Sequence, residues 1–294
     1  MSVALSVMAC TLPSQVNAGI PGAVPSVAID SVKVPGNGES VTFKTTLGNG
    51  DLYLLKASGA VGSGTGSVDA EFGGFGPGKD GSDVVGGVDV GVDVGRPALR
   101  GASGRMKWFG GYRPDHVYYM IVTGDGKPLT LKLNTSGGAA SGAITVALVP
   151  LSSNPPVLGK ALETLQVPVL ETKTSTTMVP AKSTVYLLQC AGQGKVGGGG
   201  LGMGDAEYMD YRADGTGKED IGDAHTDYGL GVDEADQSKS PRKNWWGAWR
   251  KDHVYYVLYT GTGNPITFMY YDVKGGYGDN SKTDRLSVSV FAVP

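Results

Sequence analysis

Apolar residues along this chain fall in short runs, in which they alternate with polar residues. In LSVSV (286–290), leucine and valine alternate with serine, which places the apolar side chains on one face of a strand. In HVYYVLYTG (253–261), both sets of alternate positions are apolar or aromatic, which indicates a strand in the centre of a sheet. Glycine, aspartate and proline bound these runs, as turn residues do. The pattern predicts an all-β protein, with at most one helical turn in GKALETLQV (159–167).

Two long stretches of the chain match each other, so the sequence is a tandem duplication. RPDHVYYMIVTGDGKPL (113–129) corresponds to RKDHVYYVLYTGTGNPI (250–266), and LYLLKASG (52–59) corresponds to VYLLQCAG (185–192). The matches are one whole domain apart, which excludes a solenoid of short repeats. The sequence therefore predicts two tandem antiparallel β-sandwich domains of the jelly-roll type.

The domain boundaries follow from the duplication. We expect a strand-like segment and linker at 1–25, a first sandwich (half one) at 26–150, a linker with a proline pair at 151–165, and a second sandwich (half two) at 166–294. SVALSVMACTLPS (2–14) is similar to the strand that ends each half. Two alternatives stay open for it, because such a strand can pair inside half one or add to the sheet of a neighbouring molecule.

Composition narrows the classes of function. With 48 glycines, 18% charged residues and a net charge of −3, the chain is neither a basic nucleic-acid-binding protein nor an acidic disordered tail. The sequence has no apolar stretch long enough to predict a transmembrane segment. Three histidines and no G-x-S-x-G motif give no sign of an enzyme. We expect a protein that is not an enzyme and that is extracellular or attached to the cell surface.

The two cysteines, Cys10 and Cys190, are too few for a disulfide framework. Cys190 lies in a predicted strand, which favours a buried side chain that behaves as a small apolar residue. A bridge between Cys10 and Cys190 stays open as the alternative.

The duplication helps to separate residues that serve the fold from residues that serve function, because a pattern kept in both halves is the better candidate for folding. The dipeptide DH occurs in both halves, at 115–116 and 252–253, and we interpret it as a pair that makes local hydrogen bonds where a strand begins. The tripeptide DAE also occurs in both, at 69–71 and 205–207. Its acids cap turns or bind an ion, and both interpretations stay open.

The loop YYDVKGGYGDNS (270–281) occurs in half two only. Half one has LNTSGGAASGA (133–143), which turns the chain without an acidic residue, so turning alone does not explain the acids. Asp272, Asp279 and Asn280 supply side-chain oxygens, and the glycines let backbone carbonyls turn inward. Calcium takes about six to eight such oxygens, whereas zinc prefers the Cys and His ligands that this loop lacks. The loop therefore predicts a Ca²⁺ site.

Two further features distinguish half two. DIGDAHTDYGLGV (220–232) contains His225, where the half-one stretch DVVGGVDVGVDVG (83–95) has no histidine. NWWGAW (244–249) brings three tryptophans together, against the single Trp108 of half one. Core packing and a stacking platform for a sugar ring are both open for these tryptophans, as are a solvated and a functional role for His225.

Taken in order, these segments resemble one family, the bacterial galactose-binding PA-IL (LecA-type) calcium lectins. The loop at 270–281 resembles the calcium loop of the family, AHTDYGLG (224–231) resembles its His-Pro-Asp-Gln-Gly-Leu segment, WGAW (246–249) its Cys-Gly-Ala-Leu strand start, and AEY (206–208) its Ala-Ser-Tyr. The resemblance covers 184–293, and half one shares the framework without the functional loops. It implies a small β-sandwich in which one calcium ion helps to bind galactose.

The resemblance also implies a role for individual residues. The calcium ligands would be the side chains of Asp272, Asp279 and Asn280 and the carbonyls of Gly276 and Tyr208. The sugar would contact His225, Tyr228, Asp272 and Asn280. The sequence departs from the family at Tyr228, which replaces a Gln, and at Thr226, which replaces a Pro. These departures concern sugar specificity more than calcium binding.

The sequence thus predicts an extracellular, calcium-binding, carbohydrate-binding adhesion protein that works as a homo-oligomer or polymer. Its partner would be a cell-surface or secreted carbohydrate of the galactose type. The alternative is a structural subunit of an extracellular filament or surface layer, which assembles by exchange of the N-terminal strand and is stiffened by calcium.

Overall fold

The structure is a computed structural model of the chain. It describes residues 28–63, 66–75, 91–95, 109–135, 140–151, 159–197, 202–211, 229–233, 246–247, 249–272 and 276–293. The predicted N-terminal segment 1–25 and the proline pair of the linker lie outside these residues.

The described residues form antiparallel strands joined by turns, so the predicted all-β class is confirmed. A short 3₁₀ helix occupies Gly276–Asp279. The strands of half one are β1 (Asp30–Pro35), β2 (Ser40–Thr46), β3 (Leu52–Ser58), β4 (Val61–Ser63), β5 (Gly66–Val68), β6 (Gly73–Phe75), β7 (Gly91–Asp93), β8 (Val117–Thr123), β9 (Pro128–Asn134) and β10 (Ala143–Pro150). Those that follow are β11 (Glu163–Pro168), β12 (Thr174–Ser175), β13 (Val185–Ala191), β14 (Gly194–Lys195), β15 (Met203–Gly204), β16 (Met209–Tyr211), β17 (Gly229–Val232), β18 (Val254–Thr260), β19 (Thr267–Tyr271) and β20 (Arg285–Ala292).

The duplication is visible in the order of the strands. One four-stranded sheet has the order β1-β10-β3-β8, and the other has the equivalent order β11-β20-β13-β18. Three-stranded sheets with the equivalent orders β2-β9-β7 and β12-β19-β17 accompany them. A small sheet in each half, β4-β5-β6 or β14-β15-β16, completes the set.

Each half has its own hydrophobic core, which contains residues from its four-stranded and its three-stranded sheet. In half one these include Leu55, Val146, Phe43 and Leu131. The core of half two draws in the same way on β13, β20, β19 and β17. Each large apolar side chain that leaves water on folding contributes roughly 1.5–3 kcal/mol, so these two clusters are the main source of stability.

A third cluster joins the two halves through the outer faces of their four-stranded sheets. Its buried members are Leu52, Leu54, Tyr119, Val149 and Leu151 from half one and Leu187, Tyr256 and Phe291 from half two. Equivalent positions of the duplication appear on both sides, for example Tyr119 and Tyr256. The junction is therefore apolar and is built largely from equivalent positions of the duplication.

Two arginines make the junction reciprocal. The Arg113 Nη1 atom donates to the Ser183 carbonyl at 2.8 Å, and the Arg250 Nη1 atom donates to the Gly50 carbonyl at 3.0 Å. Since Arg113 matches Arg250 and Gly50 matches Ser183 in the duplication, each half gives the other the same contact. Such reciprocity is the mark of a two-fold, isologous interface.

The prediction that HVYYVLYTG forms a central strand is wrong. Its strand, β18, stands at the end of the four-stranded sheet and pairs with β13. Both of its faces are nonetheless covered, because Tyr255 packs into the core of half two and Tyr256 packs into the junction. The apolar residues on both faces reflect sheet-on-sheet packing and not a central place in the sheet.

The helical turn considered for 159–167 is also replaced by a strand. Residues Glu163–Pro168 form β11, which pairs with β20, and Leu165 and Val167 point into the core. Strand β11 therefore begins inside the stretch 151–165 that the sequence suggests as a linker. The alternation of Leu165 and Val167 decided the structure over the helix propensity of Leu, Glu and Gln.

The Cys190 side chain is buried and its thiol is free, as the apolar interpretation predicts, and burial raises the pKa of this thiol.

Among the described residues, no helix has the length and apolar character needed to cross a bilayer.

Candidate functional site

The predicted calcium loop is closed by one tyrosine. Strand β19 ends at Tyr271, and the 3₁₀ turn that follows carries Tyr277 back over the strand end. The Tyr277 hydroxyl donates to the Tyr270 carbonyl at 3.0 Å and accepts the Asp272 N–H at 3.2 Å. This phenol therefore fixes the backbone on which Asp272 lies, a role that the sequence alone did not reveal.

Asn280 is buried at the end of the same loop. Its side chain is 5% exposed, and its Nδ2 atom donates to the Val169 carbonyl at 2.7 Å. Its Oδ1 atom is buried and makes no hydrogen bond to any described residue. A buried acceptor without a partner costs about 1–3 kcal/mol, so the fold holds this oxygen in place at a cost that a cation would remove.

The other predicted ligands of the loop differ in their exposure. Asp272 is buried, with 9% of its surface exposed, whereas Asp279 is exposed and Gly276 is partly exposed. The loop thus combines a buried carboxylate and a buried amide oxygen with an exposed carboxylate near the surface. That mixture suits an ion held at the edge of the protein, where some coordination positions face solvent.

The exit of the loop is anchored separately. The Ser281 N–H donates to the Lys195 carbonyl at 2.9 Å, and the Lys195 N–H donates to Asp284 Oδ2 at 2.9 Å. The hydrogen bond from the Lys195 N–H outweighs the effect of burial and, with hydroxyls nearby, holds the pKa of Asp284 below its usual value. Asp284 is therefore an ionised anchor for the loop, on the strand β14 side.

Tyr208, the fifth predicted ligand, belongs to a turn that both halves share. Its carbonyl accepts the Asp205 N–H at 2.9 Å, and the equivalent Phe72 carbonyl accepts the Asp69 N–H at 2.9 Å. A carbonyl has two lone pairs, so this bond leaves capacity for an ion. The hydrogen bond between Asp205 and Tyr208 stabilises a turn that occurs in both halves, so it is not a feature of half two alone.

The duplicated DAE tripeptides cap turns, which decides between the two interpretations left open for them. Asp205 Oδ1 accepts the N–H groups of Glu207 and Tyr208 at 2.9 and 2.8 Å, and Glu207 Oε2 accepts the Trp246 N–H at 2.7 Å. Asp69 and Glu71 of half one repeat this arrangement. Backbone N–H groups therefore occupy one oxygen of each of these acids.

The duplicated histidines complete the same cluster. The expectation of local hydrogen bonds for the DH pair is right for Asp252, whose Oδ1 atom accepts the Val254 N–H at 3.2 Å, and wrong for the His253 side chain. His253 Nδ1 lies 2.8 Å from Asp205 Oδ2, and the Tyr255 hydroxyl donates to that oxygen at 2.9 Å. The two partners are distant in sequence, and half one repeats the contacts with His116, Tyr118 and Asp69. Burial, together with the charge of Asp205, raises the pKa of the Tyr255 hydroxyl well above its usual value, so this phenol stays a donor.

The tryptophans of NWWGAW pack within the protein where they are described. Trp246 is buried in the core, and its Nε1 atom donates to the Leu230 carbonyl at 2.7 Å. Trp249 packs edge-on against Tyr208 and His253, with ring centroids 5.4 and 5.2 Å apart. Core packing therefore accounts for both residues, and Trp245 lies outside the described residues.

The predicted sugar contacts His225 and Tyr228 also lie outside the described residues, since β17 begins at Gly229. Within the described ranges, no three His, Cys, Asp or Glu side chains gather as they would around a metal ion. The candidate set has two carboxylates, and its other oxygens come from an amide and from carbonyls. The structure describes Asp272 and Asn280 as buried residues of one loop, and the sugar side of the site, with His225 and Tyr228, lies outside the described residues.

Comparisons of the chain with protein-family models, curated proteins and solved structures found no match.

Proposed function

We propose that each half is a β-sandwich domain and that half two binds Ca²⁺ at the loop 270–281. Through this ion the protein would bind a carbohydrate, as an extracellular adhesion protein and not as an enzyme. The observation that carries the proposal is the buried Asn280 Oδ1 atom, which has no hydrogen-bond partner among the described residues. A hard divalent cation is the partner that best fits a buried amide oxygen on a loop that also carries a buried carboxylate, that of Asp272.

Some residues of half two would bind the calcium ion, and others would contact the sugar. The side chains of Asp272, Asp279 and Asn280, with the carbonyls of Gly276 and Tyr208, would hold the ion. The bound ion would supply open coordination positions that adjacent sugar hydroxyls occupy in place of water. Hydrogen bonds from those hydroxyls to Asp272 and Asn280, and contacts to His225 and Tyr228, would orient the sugar. A single shallow site binds weakly, so a homo-oligomer or polymer would raise the avidity.

Calcium binding is tested first, by thermal unfolding of the full chain with EDTA and with millimolar CaCl₂. We expect calcium to stabilise the protein by about 2–3 kcal/mol when its concentration is near 100 times the Kd, because it binds the folded state alone. Asn280→Ala and Asp272→Asn should lose this shift. Ser31→Ala, on an exposed part of β1, is the control and should keep it.

A glycan array with calcium and with EDTA then tests the carbohydrate. We expect a signal that requires calcium and that disappears in Asn280→Ala. A calcium shift without any calcium-dependent glycan signal would reject the lectin and keep the ion site. No calcium shift at all would reject both.

One observation favours the structural subunit as a second candidate. Strands β1 and β11 form the outer edges of their sheets, and each pairs on one side within the described ranges. An added strand from a neighbour would complete such an edge, although Lys33 and the prolines that end both strands are features that discourage pairing. Deletion of residues 1–13 tests this candidate by electron microscopy and light scattering, since a filament would fall apart and a lectin would stay soluble and bind as before.

A further inference from the structure

A cavity of about 440 Å³ opens at the junction of the two halves. One wall is the half-one segment 109–115, which precedes β8, and the other is formed by residues of half two, among them Ser183, Leu258 and Thr260. Ligand cavities of proteins commonly occupy about 300–1,000 Å³ and often lie between domains. This cavity is separate from the calcium loop, since it is lined by neither β19 nor the turn after it.

A fixed ion pair supplies the polar wall. Arg113 binds Asp115 through two parallel bonds, Nε to Oδ1 at 3.2 Å and Nη2 to Oδ2 at 2.8 Å, while its Nη1 atom is held by the Ser183 carbonyl. Partial burial opposes ionisation of Asp115, but the bonds from Arg113 and from the Val117 N–H hold its pKa below the usual value. The side chains are 18% and 51% exposed, so the pair is fixed and still open to a ligand.

The pair offers both kinds of hydrogen bond at no net charge. Three of the five N–H groups of Arg113 are donated in the bonds above, which leaves two, and the exposed carboxylate of Asp115 retains lone pairs. Thr260 adds a hydroxyl to the opposite wall. Neighbouring hydroxyl groups of a ligand would find an acceptor and a donor side by side, with the added strength of charged partners.

Aromatic and aliphatic side chains and two glycines form the rest of the cavity. The Tyr112 ring is held edge-on by Phe72 at 5.6 Å and by His116 at 6.0 Å, and Tyr119 is buried beside it in the junction cluster. A methyl group added at Gly110 or Gly111 would meet no atom within 4 Å. The space next to these glycines is therefore open to a molecule with flat, apolar faces.

We propose that this cavity is a second binding site, which takes a neutral saccharide residue without calcium. The class follows from the lining, because a sugar ring carries neighbouring hydroxyls on its edge and C–H groups on its faces. A charged ligand would find no excess of opposite charge at the Arg113–Asp115 pair. The proposal does not depend on the calcium site, and its test is made with that site disabled.

The test is saturation-transfer NMR on the full chain in EDTA, with glucose, galactose, mannose and N-acetylglucosamine as probes. We expect transfer to at least one of them. Gly111→Trp fills the open space, at a position without a left-handed backbone, and should abolish the transfer. Arg113→Ala should weaken binding about tenfold or more, since it removes charged hydrogen bonds.

The duplication supplies a matched control. Arg250→Ala removes the equivalent bond across the junction and the equivalent ion pair with Asp252, but Arg250 does not line this cavity. We expect it to keep the transfer. The proposal is overturned if none of the four sugars shows transfer to the wild type, if Gly111→Trp leaves transfer unchanged, or if Arg250→Ala loses it equally.

Discussion

The two halves solve one structural problem in different ways, at the turn that leads into their last strand. In half one the Ala140 N–H donates to the Gly36 carbonyl at 2.8 Å. In half two the equivalent carbonyl belongs to Val169, and it is the side chain of Asn280 that donates to it, at 2.7 Å. A backbone amide in one half is thus replaced by a side-chain amide in the other.

The reason lies in the residue that carries the carbonyl. A side chain at Gly36 would place its Cβ atom 2.5 Å from the Ala140 carbonyl oxygen, so half one needs a glycine there to let the chain approach. Half two has a valine at the equivalent position, and the longer loop between β19 and β20 contacts its carbonyl through the Asn280 side chain. The longer loop of half two carries two buried polar residues, Asn280 and Asp272, whereas the half-one stretch 133–143 contains no acidic residue.

The largest loss of stability should come from mutation of the buried aspartate that both halves share, Asp69 or Asp205. Asp69→Ala and Asp205→Ala each remove a fully buried carboxylate that binds a histidine, a tyrosine and two backbone N–H groups. We expect each to cost about 3–5 kcal/mol of unfolding free energy, as removal of one partner of a buried charged network does. Urea unfolding measures this, with the exposed Asp125→Ala as control at under about 1 kcal/mol.

Equal costs for the two aspartates would support a shared structural role. A cost below about 1 kcal/mol for either one would show that the hydrogen bonds of the cluster do not hold that half together.

The second-largest effect should distinguish the two halves at the turn before their last strands, which contacts Gly36 in half one and Val169 in half two. Gly36→Val copies the half-two residue into half one and should cost about 1–3 kcal/mol, because the new side chain collides with backbone at Ala140. The reverse change, Val169→Gly, removes apolar contacts and should also destabilise, but without a collision. A crystal structure of Gly36→Val checks the cause, since residues near Ala140 should move outward. If the new valine side chain fits without movement of the backbone at Ala140, then a collision is not the reason why half two uses the Asn280 side chain at this turn.

The smallest effect concerns two partly exposed carboxylates, Asp30 and Glu163, at equivalent strand starts. Asp30 accepts the Thr45 N–H, and Glu163 accepts the N–H groups of Thr177 and Met178. Slight burial opposes ionisation at both, and these hydrogen bonds lower both pKa values below the model-compound values of 3.8 and 4.5. The stability they add is present above those pH values and is lost as pH falls through the folded-state pKa values.

Glu163→Gln and Asp30→Asn should therefore each cost under about 1 kcal/mol at pH 7. The difference from wild type should shrink as the pH falls through the folded-state pKa values. Urea unfolding at pH 7, 5 and 3 measures it, and a cost that stays constant with pH would exclude the charged bonds as its cause.

Much of the fold was predictable because strands have a period of two. The alternation in LSVSV and the repeated motifs predicted antiparallel strands in two equivalent sets, and the strand orders agree. The stretch ETLQVP was misjudged because its residues have helix propensity, while pairing with β20 decides in favour of a strand. The place of β18 was misjudged because a second sheet covers its outer face, and apolar residues look alike whichever sheet covers them.

At the candidate site, the sequence identified the loop that half one lacks and its oxygen-bearing residues. It did not reveal Tyr277 as the residue that closes the loop. It also did not reveal that Asn280 would bind Val169, which is 111 residues away in the chain. Such contacts join distant segments, and no local pattern records them.

The sequence by itself determined the all-β class, the duplication and the acidic loop that half two alone possesses, because periodicity and repetition are local properties of the chain. The tertiary structure decided which oxygens stay available. In the folded protein the carboxylate oxygens of Asp69 and Asp205 accept hydrogen bonds from backbone, histidine and tyrosine donors. Asn280 Oδ1 is buried and has no such partner among the described residues. The physical reason is that a polar atom becomes costly, and so available to a cation, only once packing has removed its water.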